Sequence, residues 1–213
     1  MTADVRRTGV ILAGGRSTRF EGGDKALAPL DGEPLVRHVA SALAPVVDEL
    51  VVNCRSEQAD DLTEAVGDLS VPLVLAFDPI RDRGPLFGLR TALRHANGAY
   101  ALAAPCDMPW LSTPLLEHLL SQAVGATGAA LEWERCVRPF PIAVHVGSGL
   151  VSCSELLRTG RREFGAFLSS LGPVVVDERV ARAHGAPAIL RDVDVRSDLP
   201  DPLRRPDPSG VDP

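Results

Sequence analysis

Lysine is almost absent from this chain. Lys25 is the only lysine in 213 residues, so 21 of the 22 basic side chains are arginines. The net charge is −6, and the sequence shows no broad basic face of the kind that a nucleic-acid backbone requires. No apolar run approaches the roughly 18–20 residues of a membrane-spanning helix, and the first nine residues, MTADVRRTG, lack the apolar core of a signal peptide. We therefore expect neither a nucleic acid nor a membrane as a partner.

Cysteine is also scarce. The chain has four cysteines, and no two are spaced as a CxxC pair. This excludes the usual zinc-ribbon and dithiol redox motifs. We expect reduced, mostly buried thiols in a cytoplasmic protein. The five histidines show no spacing typical of metal ligands, so we expect ordinary packing or surface roles for them.

Stretches typical of buried strands alternate with stretches typical of helices in the first half of the chain. The predicted strands are 8–14, 48–54, 72–78 and 99–107, and the predicted helices are 34–46, 58–67, 84–98 and 112–125. This alternation predicts right-handed crossovers, a mostly parallel sheet and a three-layer α/β/α sandwich.

The second half of the chain is less regular. Two strands, 128–133 and 138–146, suggest an antiparallel excursion, and they are followed by predicted helices at 149–160 and 161–172 and a strand at 173–178. The last residues are rich in proline and aspartate and cannot bury apolar area. We predict one domain over residues 1–199 and a disordered tail over 200–213.

The segment VILAGGRSTRFEGGDKA, residues 10–26, joins an apolar strand to a loop of glycines and basic residues. Backbone N–H groups of a glycine loop can converge on a phosphate, since no Cβ is in the way. The P-loop and the GxGxxG fingerprint are both absent, and glycines alone also fit a plain turn with solvated charges. The one lysine of the chain lies in this loop beside Arg16 and Arg19, which favours a mobile cation that follows a phosphate.

This segment and several later motifs resemble the nucleotidyltransferases that activate sugars and cofactors, and most narrowly the molybdenum cofactor guanylyltransferases, the MobA family. Their signature is approximately LAGGxSxRMGxDKAxxxxxGxPLxxxV, and the positions that fit it are Leu12, Ala13, Gly14, Gly15, Ser17, Arg19, Asp24, Lys25, Gly32, Pro34 and Leu35. GPLFGL at 84–89 matches the family's GPLAGL, and PCDMPWL at 105–111 matches its CDMPFL. The resemblance runs from about residue 8 to about residue 199 and implies the fold of the nucleotide-diphospho-sugar transferases.

The chain departs from the family pattern at two places. Phe20 and Glu21 stand where the family has Met-Gly, and Asp192 and Asp194 replace the asparagines of its NVNTPEDL motif. Related cytidylyltransferases carry aspartate in this second region. A cytidylyltransferase with another phosphate acceptor therefore remains an alternative, as does a nucleotide-binding protein without activity.

The resemblance implies a reaction and a set of residues. The chain would transfer GMP from GTP to the terminal phosphate of molybdopterin with Mg²⁺ and release pyrophosphate. Arg19, Lys25 and Asp107 would be catalytic, and Asp107 would bind the metal, with Asp192 or Asp194 as a second carboxylate. The nucleotide would contact Leu12, Ala13, Gly14, Gly15, Lys25, Asn53, Asp78 and Asp107. Partners would be other proteins of molybdenum cofactor biosynthesis and the molybdoenzymes that receive the product.

Two further sites have competing interpretations. Asp78 ends a predicted strand, and an ionised carboxylate there can accept two hydrogen bonds from the N1–H and N2 amine of guanine, whereas cytosine presents one amine and two acceptors. The alternative is an aspartate that only starts a turn before Pro79. Arg161 and Arg162 open a predicted helix and either contact the acceptor's phosphate or lie on the surface.

Overall fold

The computed structural model describes residues 5–15, 23–79 and 83–199. Arg16 and Arg19 lie outside the described residues, as does the tail over 200–213 that the sequence predicts to be disordered. The single domain over residues 1–199 stays a prediction. Within the described ranges, no helix is both long enough and apolar enough to cross a bilayer.

Nine strands lie within the described residues. They are β1 (Arg7–Leu12), β2 (Pro29–Leu30), β3 (Glu33–Pro34), β4 (Glu49–Cys54), β5 (Leu73–Phe77), β6 (Tyr100–Pro105), β7 (Gly128–Trp133), β8 (Cys136–His145) and β9 (Val174–Val176). Seven of them form one sheet in the order β5-β4-β1-β6-β8-β7-β9, and β2 and β3 pair separately. Within the large sheet, only β8 is antiparallel to its neighbours, β6 and β7, and all other pairs of strands are parallel. The mostly parallel sheet predicted from the sequence is confirmed.

Helices cover both faces of this sheet. They are α1 (Leu35–Leu43), α2 (Ala59–Val66), α3 (Pro85–Leu93), α4 (Thr113–Ala123), α5 (Val146–Arg158), α6 (Phe164–Leu171) and α7 (Glu178–Ala183). α1 packs against α2 and α4, whereas α3 packs against α5, which in turn contacts α6. The central strands are buried on both faces, with Val10, Leu50 and Leu102 fully inaccessible, as expected for parallel strands between two helix layers.

The carboxyl ends of four neighbouring parallel strands meet at one edge of the sheet. In register, Leu12 of β1 lies opposite Asn53 of β4 on one side and Pro105 of β6 on the other. The chain moves from β1 towards β4 and β5 and then returns to β6, so the direction of the strand order reverses between β1 and β6. Open α/β sheets bind ligands at such a reversal, and the candidate site lies there.

The second half of the chain agrees with the predicted pattern at one place and departs from it at others. The antiparallel excursion is confirmed as the β7–β8 hairpin. The strand predicted over 173–178 ends at Val176 because the Asp177 carboxylate accepts a hydrogen bond from the Arg179 N–H at 2.8 Å and caps α7, a helix that the sequence analysis missed. The helix predicted over 161–172 begins only at Phe164, so Arg161 and Arg162 precede it.

Candidate active site

A cleft of about 450 Å³ opens at the carboxyl ends of β1, β4, β5 and β6. All eight residues predicted to contact the nucleotide line it: Leu12, Ala13, Gly14, Gly15, Lys25, Asn53, Asp78 and Asp107. The other described residues that line it were not predicted as site residues from the sequence; they are Arg83, Gly84, Pro85, Gly88, Pro105, Cys106 and Phe140. The structure therefore brings the predicted residues together, while their roles stay predictions.

Lys25 and Asp107 form an ion pair inside this cleft. The Lys25 Nζ lies 2.6 Å from Asp107 Oδ2 and 3.6 Å from Asp194 Oδ1. Asp107 follows the end of β6, and Lys25 opens a short 3₁₀ helix over Lys25–Leu27 whose first turn is capped by Asp24. The lysine side chain is only 12% exposed, so its charge is held close to two carboxylates with little screening by water.

Residues near the C-terminal end of the described chain lie against Asp107. The Val193 N–H donates to the Asp107 carbonyl at 2.8 Å, and the Val193 side chain is fully buried in a small cluster with Leu30, Leu35 and Trp110. This anchor brings Asp192 and Asp194 close to Lys25 and Asp107, which line the cleft.

The two aspartates beside Val193 differ in environment. Asp192 lies 3.6 Å from the Arg138 guanidinium. Burial raises the pKa of its carboxyl, and the nearby charge of Asp107 raises it further. Asp194 is 67% exposed and faces Lys25. Asp194 is therefore the more hydrated of the two carboxylates.

The donor set fits a magnesium ion that arrives with phosphate groups. Among the described residues, no cluster of three or more histidine, cysteine or acidic side chains is arranged to hold a metal by itself. Asp107 and Asp194 nevertheless lie within 3.6 Å of one cation, the Lys25 ammonium group. Magnesium is usually bound by one or two carboxylates together with phosphate oxygens and waters, and two hard oxygen donors at this position match that preference.

Asn53 and Asp78 form a fixed pair at the other end of the cleft. The Asn53 amide donates to Asp78 Oδ1 at 2.9 Å and to the Ala76 carbonyl at 3.1 Å. Two glycines make room for the pair. A Cβ on Gly14 would lie 3.0 Å from Asp78 Oδ2, and a Cβ on Gly88 would lie 2.3 Å from Asn53 Oδ1.

The main chain of the glycine loop is held by neighbouring strands. The Ala13 N–H donates to the Asn53 carbonyl at 2.8 Å, and the Leu12 carbonyl accepts from the Cys106 N–H at 3.1 Å. Leu12 and Ala13 were predicted to contact the nucleotide, and these two of their main-chain groups bond within the protein. They fix the position of the loop at the strand ends.

Residues 9–183 match the family model of the MobA-like NTP transferase domain. The chain belongs to this family. It is 43% identical over 196 residues, 92% of each chain, to a probable molybdenum cofactor guanylyltransferase of Haloferax mediterranei. It is 37% identical over 193 residues to a second probable molybdenum cofactor guanylyltransferase, from Natronomonas pharaonis, covering 91% of this chain and 95% of the relative. The family resemblance predicted from the sequence is confirmed.

Solved structures support the fold. The molybdopterin-guanine dinucleotide biosynthesis protein A of Archaeoglobus fulgidus superposes with a TM-score of 0.73 over 90% of this chain and 94% of its own, at 22% identity. A nucleotidyl transferase from Methanothermobacter superposes with a TM-score of 0.71 over 91% of this chain and 94% of its own, at 24% identity. At these identities the likeness shows a shared fold alone, which confirms the predicted architecture.

This MobA-like domain also contains residues that contact the site from outside the cleft and that were not predicted from the sequence. Arg55 and Gln58 follow β4 and contact the glycine loop from behind. Their position just after Asn53, at the carboxyl end of a parallel strand, could have identified them. Arg161 and Arg162 are exposed and are not among the described residues that line the cleft.

The four cysteines are all free thiols, and three of them are buried. This confirms the prediction of mostly buried, unpaired thiols. Burial raises the pKa of the Cys54 thiol to about 11, so it is protonated at neutral pH. Burial also raises the pKa of Cys106, which lines the cleft. Neither thiol has the lowered pKa of a cysteine nucleophile.

Proposed function

We propose that this chain transfers GMP from GTP to the terminal phosphate of molybdopterin, releasing pyrophosphate and forming the guanine dinucleotide form of the molybdenum cofactor. The observation that carries the proposal is one cleft that holds a glycine loop, a cation paired with carboxylates and an oriented aspartate. The relatives from Haloferax mediterranei and Natronomonas pharaonis, at 43% and 37% identity, are named probable molybdenum cofactor guanylyltransferases, and these names supply the reaction.

The Asn53–Asp78 pair is the proposed guanine site. The Asn53 amide occupies one side of Asp78 Oδ1 and fixes the carboxylate plane. The carboxylate then accepts from the N1–H and N2 amine of guanine, two adjacent donors that fit a single carboxylate. A cytosine would bring acceptor atoms to the same oxygens and would be repelled.

Lys25 is the proposed phosphate contact. The lysine is held by Asp107 and Asp194, and it can exchange these partners for phosphate oxygens because its ammonium group sits on a flexible four-carbon stem. There it offsets the negative charge that builds as the bond to pyrophosphate breaks. The attacking phosphate is already ionised at neutral pH, so the reaction requires no side-chain base.

Asp107 is the proposed magnesium ligand, with Asp194 or Asp192 as a second carboxylate. When bound, magnesium would neutralise charge on the phosphate groups. The protein's own contribution is to orient the donors. The Asp107 main chain is fixed by the Val193 N–H, and Lys25 neutralises the carboxylate when no nucleotide is bound. Arg19, the third proposed catalytic residue, lies outside the described residues.

The alternative is a cytidylyltransferase with another phosphate acceptor. It is favoured by Asp192 and Asp194, which stand where the guanylyltransferase motif has asparagines. The orientation of Asp78 favours guanine instead. A cytoplasmic location, as well as contacts with other cofactor-biosynthesis proteins or with recipient molybdoenzymes, stays a prediction.

The test is pyrophosphate release from GTP or CTP in the presence of molybdopterin and magnesium. We expect at least about tenfold preference for GTP in the native protein, because one buried hydrogen bond to a charged group is worth roughly 1.5–3 kcal/mol. Asp78→Asn should lose most of this preference. Equal or better use of CTP by the native protein would favour the cytidylyltransferase, and nucleotide binding without pyrophosphate release would exclude an enzyme of this type.

A further inference from the structure

A hydrogen-bonded network lies behind the glycine loop. The Arg55 guanidinium donates through Nη1 to the carbonyls of Gly14 and Gly15, and through Nη2 to Asp24 Oδ2 at 2.7 Å. The Gln58 amide donates to the Ala13 carbonyl at 3.1 Å and also to Asp24 Oδ2. Both side chains therefore join the start of the loop, residues 13–15, to its end at Asp24.

We propose that Arg55, Asp24 and Gln58 form a clamp that positions the loop for the triphosphate. We call these three residues the loop clamp. The inference rests on the proposed function, because it assigns the loop to phosphate binding. Within that function it adds positioning residues that do not touch the substrate: they hold the glycine loop and Lys25 in one arrangement before GTP arrives.

The direction of the loop carbonyls supports this role. In a trans peptide the C=O of one residue and the N–H of the next point in opposite directions. When the Gly14 carbonyl turns to Arg55, the N–H of Gly15 therefore turns away from it. Arg55 is not among the described residues that line the cleft, whereas Gly14 and Gly15 are. The clamp thus turns carbonyl oxygens away from an incoming phosphate and leaves N–H groups on the other side.

The same clamp sets the position of Lys25. Asp24 immediately precedes the lysine, and its second oxygen accepts from the Ala26 N–H at 3.0 Å. The chain on both sides of Lys25 is therefore tied to one carboxylate. Asp24 is 15% exposed, and Arg55 is 23% exposed, so these charge-assisted bonds are partly shielded from water and are stronger than those on an open surface.

Arginine is required at position 55 because its planar fork reaches two kinds of partner at once. One nitrogen bonds main-chain carbonyls and the other bonds a carboxylate. A lysine has one ammonium group on a flexible stem and cannot hold this geometry. Residues 13–15 and Asp24 that are already held in place lose less conformational entropy when a ligand binds, which is the physical benefit of preorganisation.

The chain contains a closely matched control for Arg55. Arg37 in α1 is 25% exposed, and its guanidinium donates to the Ala65 carbonyl at 2.9 Å and to both oxygens of Asp68. It thus joins a carboxylate to a main-chain carbonyl, as Arg55 does. None of these three residues is among the described residues that line the cleft.

The experiment compares Arg55→Lys, Arg55→Ala and Arg37→Ala with the native protein in two measurements. Hydrogen exchange of peptides covering residues 12–28, without nucleotide, reports whether the loop is held. Steady-state turnover reports KM for GTP and kcat separately. We expect faster exchange and a KM raised about tenfold or more in both Arg55 variants, with native values in Arg37→Ala. If Arg55→Ala does not fold, Arg55→Lys and Asp24→Asn provide the same comparison.

The two measurements separate this inference from the proposed function. Exchange over 12–28 that is equal in Arg55→Ala, Arg55→Lys and Arg37→Ala overturns the clamp, whether or not the protein uses GTP. Faster exchange with an unchanged KM for GTP overturns its positioning role. A native protein that neither binds nor turns over GTP contradicts the proposed function, while the exchange comparison still decides whether the clamp holds the loop.

Discussion

At the scale of single residues, Lys25 is the side chain on which the proposed chemistry depends most. It is shared by Asp107 and Asp194 and is the one lysine in a chain that otherwise uses arginine. We expect Lys25→Ala to lower kcat by roughly 10²–10³, the usual effect of losing one group that stabilises transition-state charge. Pyrophosphate release measures it, with circular dichroism as the check on folding. A folded Lys25→Ala protein with near-native kcat would contradict the assignment.

Asp107 carries a separate prediction about the metal. Asp107→Asn keeps the size of the side chain and removes its charge, so the dependence of turnover on magnesium should shift to much higher concentrations or activity should disappear. The measurement is a magnesium titration at saturating GTP, with Asp68→Asn as a control at an exposed ion pair away from the cleft. If the magnesium dependence of Asp107→Asn is unchanged, Asp107 is not the ligand, and Asp192 or Asp194 would be assigned as the magnesium ligand instead.

A substitution at Gly88 perturbs the proposed guanine site without replacing Asn53 or Asp78. A Cβ here would lie 2.3 Å from Asn53 Oδ1, so Gly88→Ala must displace the amide that orients Asp78. We expect the preference for GTP over CTP to fall about tenfold, the equivalent of one hydrogen bond. Gly165→Ala in α6 is the matched control, since a Cβ there meets no atom within 4 Å. Unchanged selectivity in Gly88→Ala would show that Asn53 does not orient Asp78.

At the scale of elements, the turn of the β7–β8 hairpin carries backbone strain. Trp133 pairs with Cys136, and the two residues between them, Glu134 and Arg135, have φ of 51° and 63°. Such a two-residue turn normally contains Asn-Gly, because glycine and asparagine tolerate a positive φ. Most other residues are destabilised by about 1–2 kcal/mol in this left-handed region. We expect Arg135→Gly to raise the unfolding free energy by about 1 kcal/mol, measured by urea denaturation. Arg162→Gly, at an exposed arginine of ordinary φ, should lower stability slightly. If Arg135→Gly is less stable than the native protein, the positive φ of Arg135 does not destabilise the turn.

The strands and helices that could be predicted are those whose burial produces a run or a periodic pattern of apolar residues in the sequence. β1, β4 and β6 are buried along almost their whole length and mainly apolar, because helices cover both faces of the sheet. The two-residue strands β2 and β3 are too short for periodicity and were missed. The same limit holds in the site. Asp78 and Asp107 end predicted strands and lie in the part of the chain that resembles the family, so they were predicted. Arg55 bonds main-chain carbonyls of the loop, and only its place just after β4 could have indicated that contact.

At the scale of the whole molecule, one buried carboxylate joins the strands that carry the site. Glu49 at the start of β4 accepts from the Thr8 hydroxyl of β1 at 2.7 Å and from the Asn97 N–H and side chain, just before β6, at 2.6 and 2.8 Å. Burial alone would raise the pKa of this carboxyl. The hydrogen bonds from Asn97 and Thr8 and the charge of Arg6 outweigh burial and hold the pKa below its usual value.

This lowered pKa predicts how the fold responds to acid. The ionised Glu49 stabilises the folded state at any pH above the ordinary glutamate pKa of about 4.3, and this contribution is lost as the pH falls through the lower pKa of the folded state. Glu49→Gln should therefore have a lower Tm than the native protein at pH 7, because about 1–3 kcal/mol is lost when a charged acceptor is replaced. Its Tm should also fall less steeply below about pH 4.3.

Thermal unfolding from pH 3 to pH 7 measures both effects. Asp68→Asn, which removes an exposed carboxylate whose pKa is lowered by Arg37, should change the profile little. If the Tm of Glu49→Gln changes with pH in the same way as the native Tm does, ionisation of Glu49 is not the cause of the acid sensitivity of the fold.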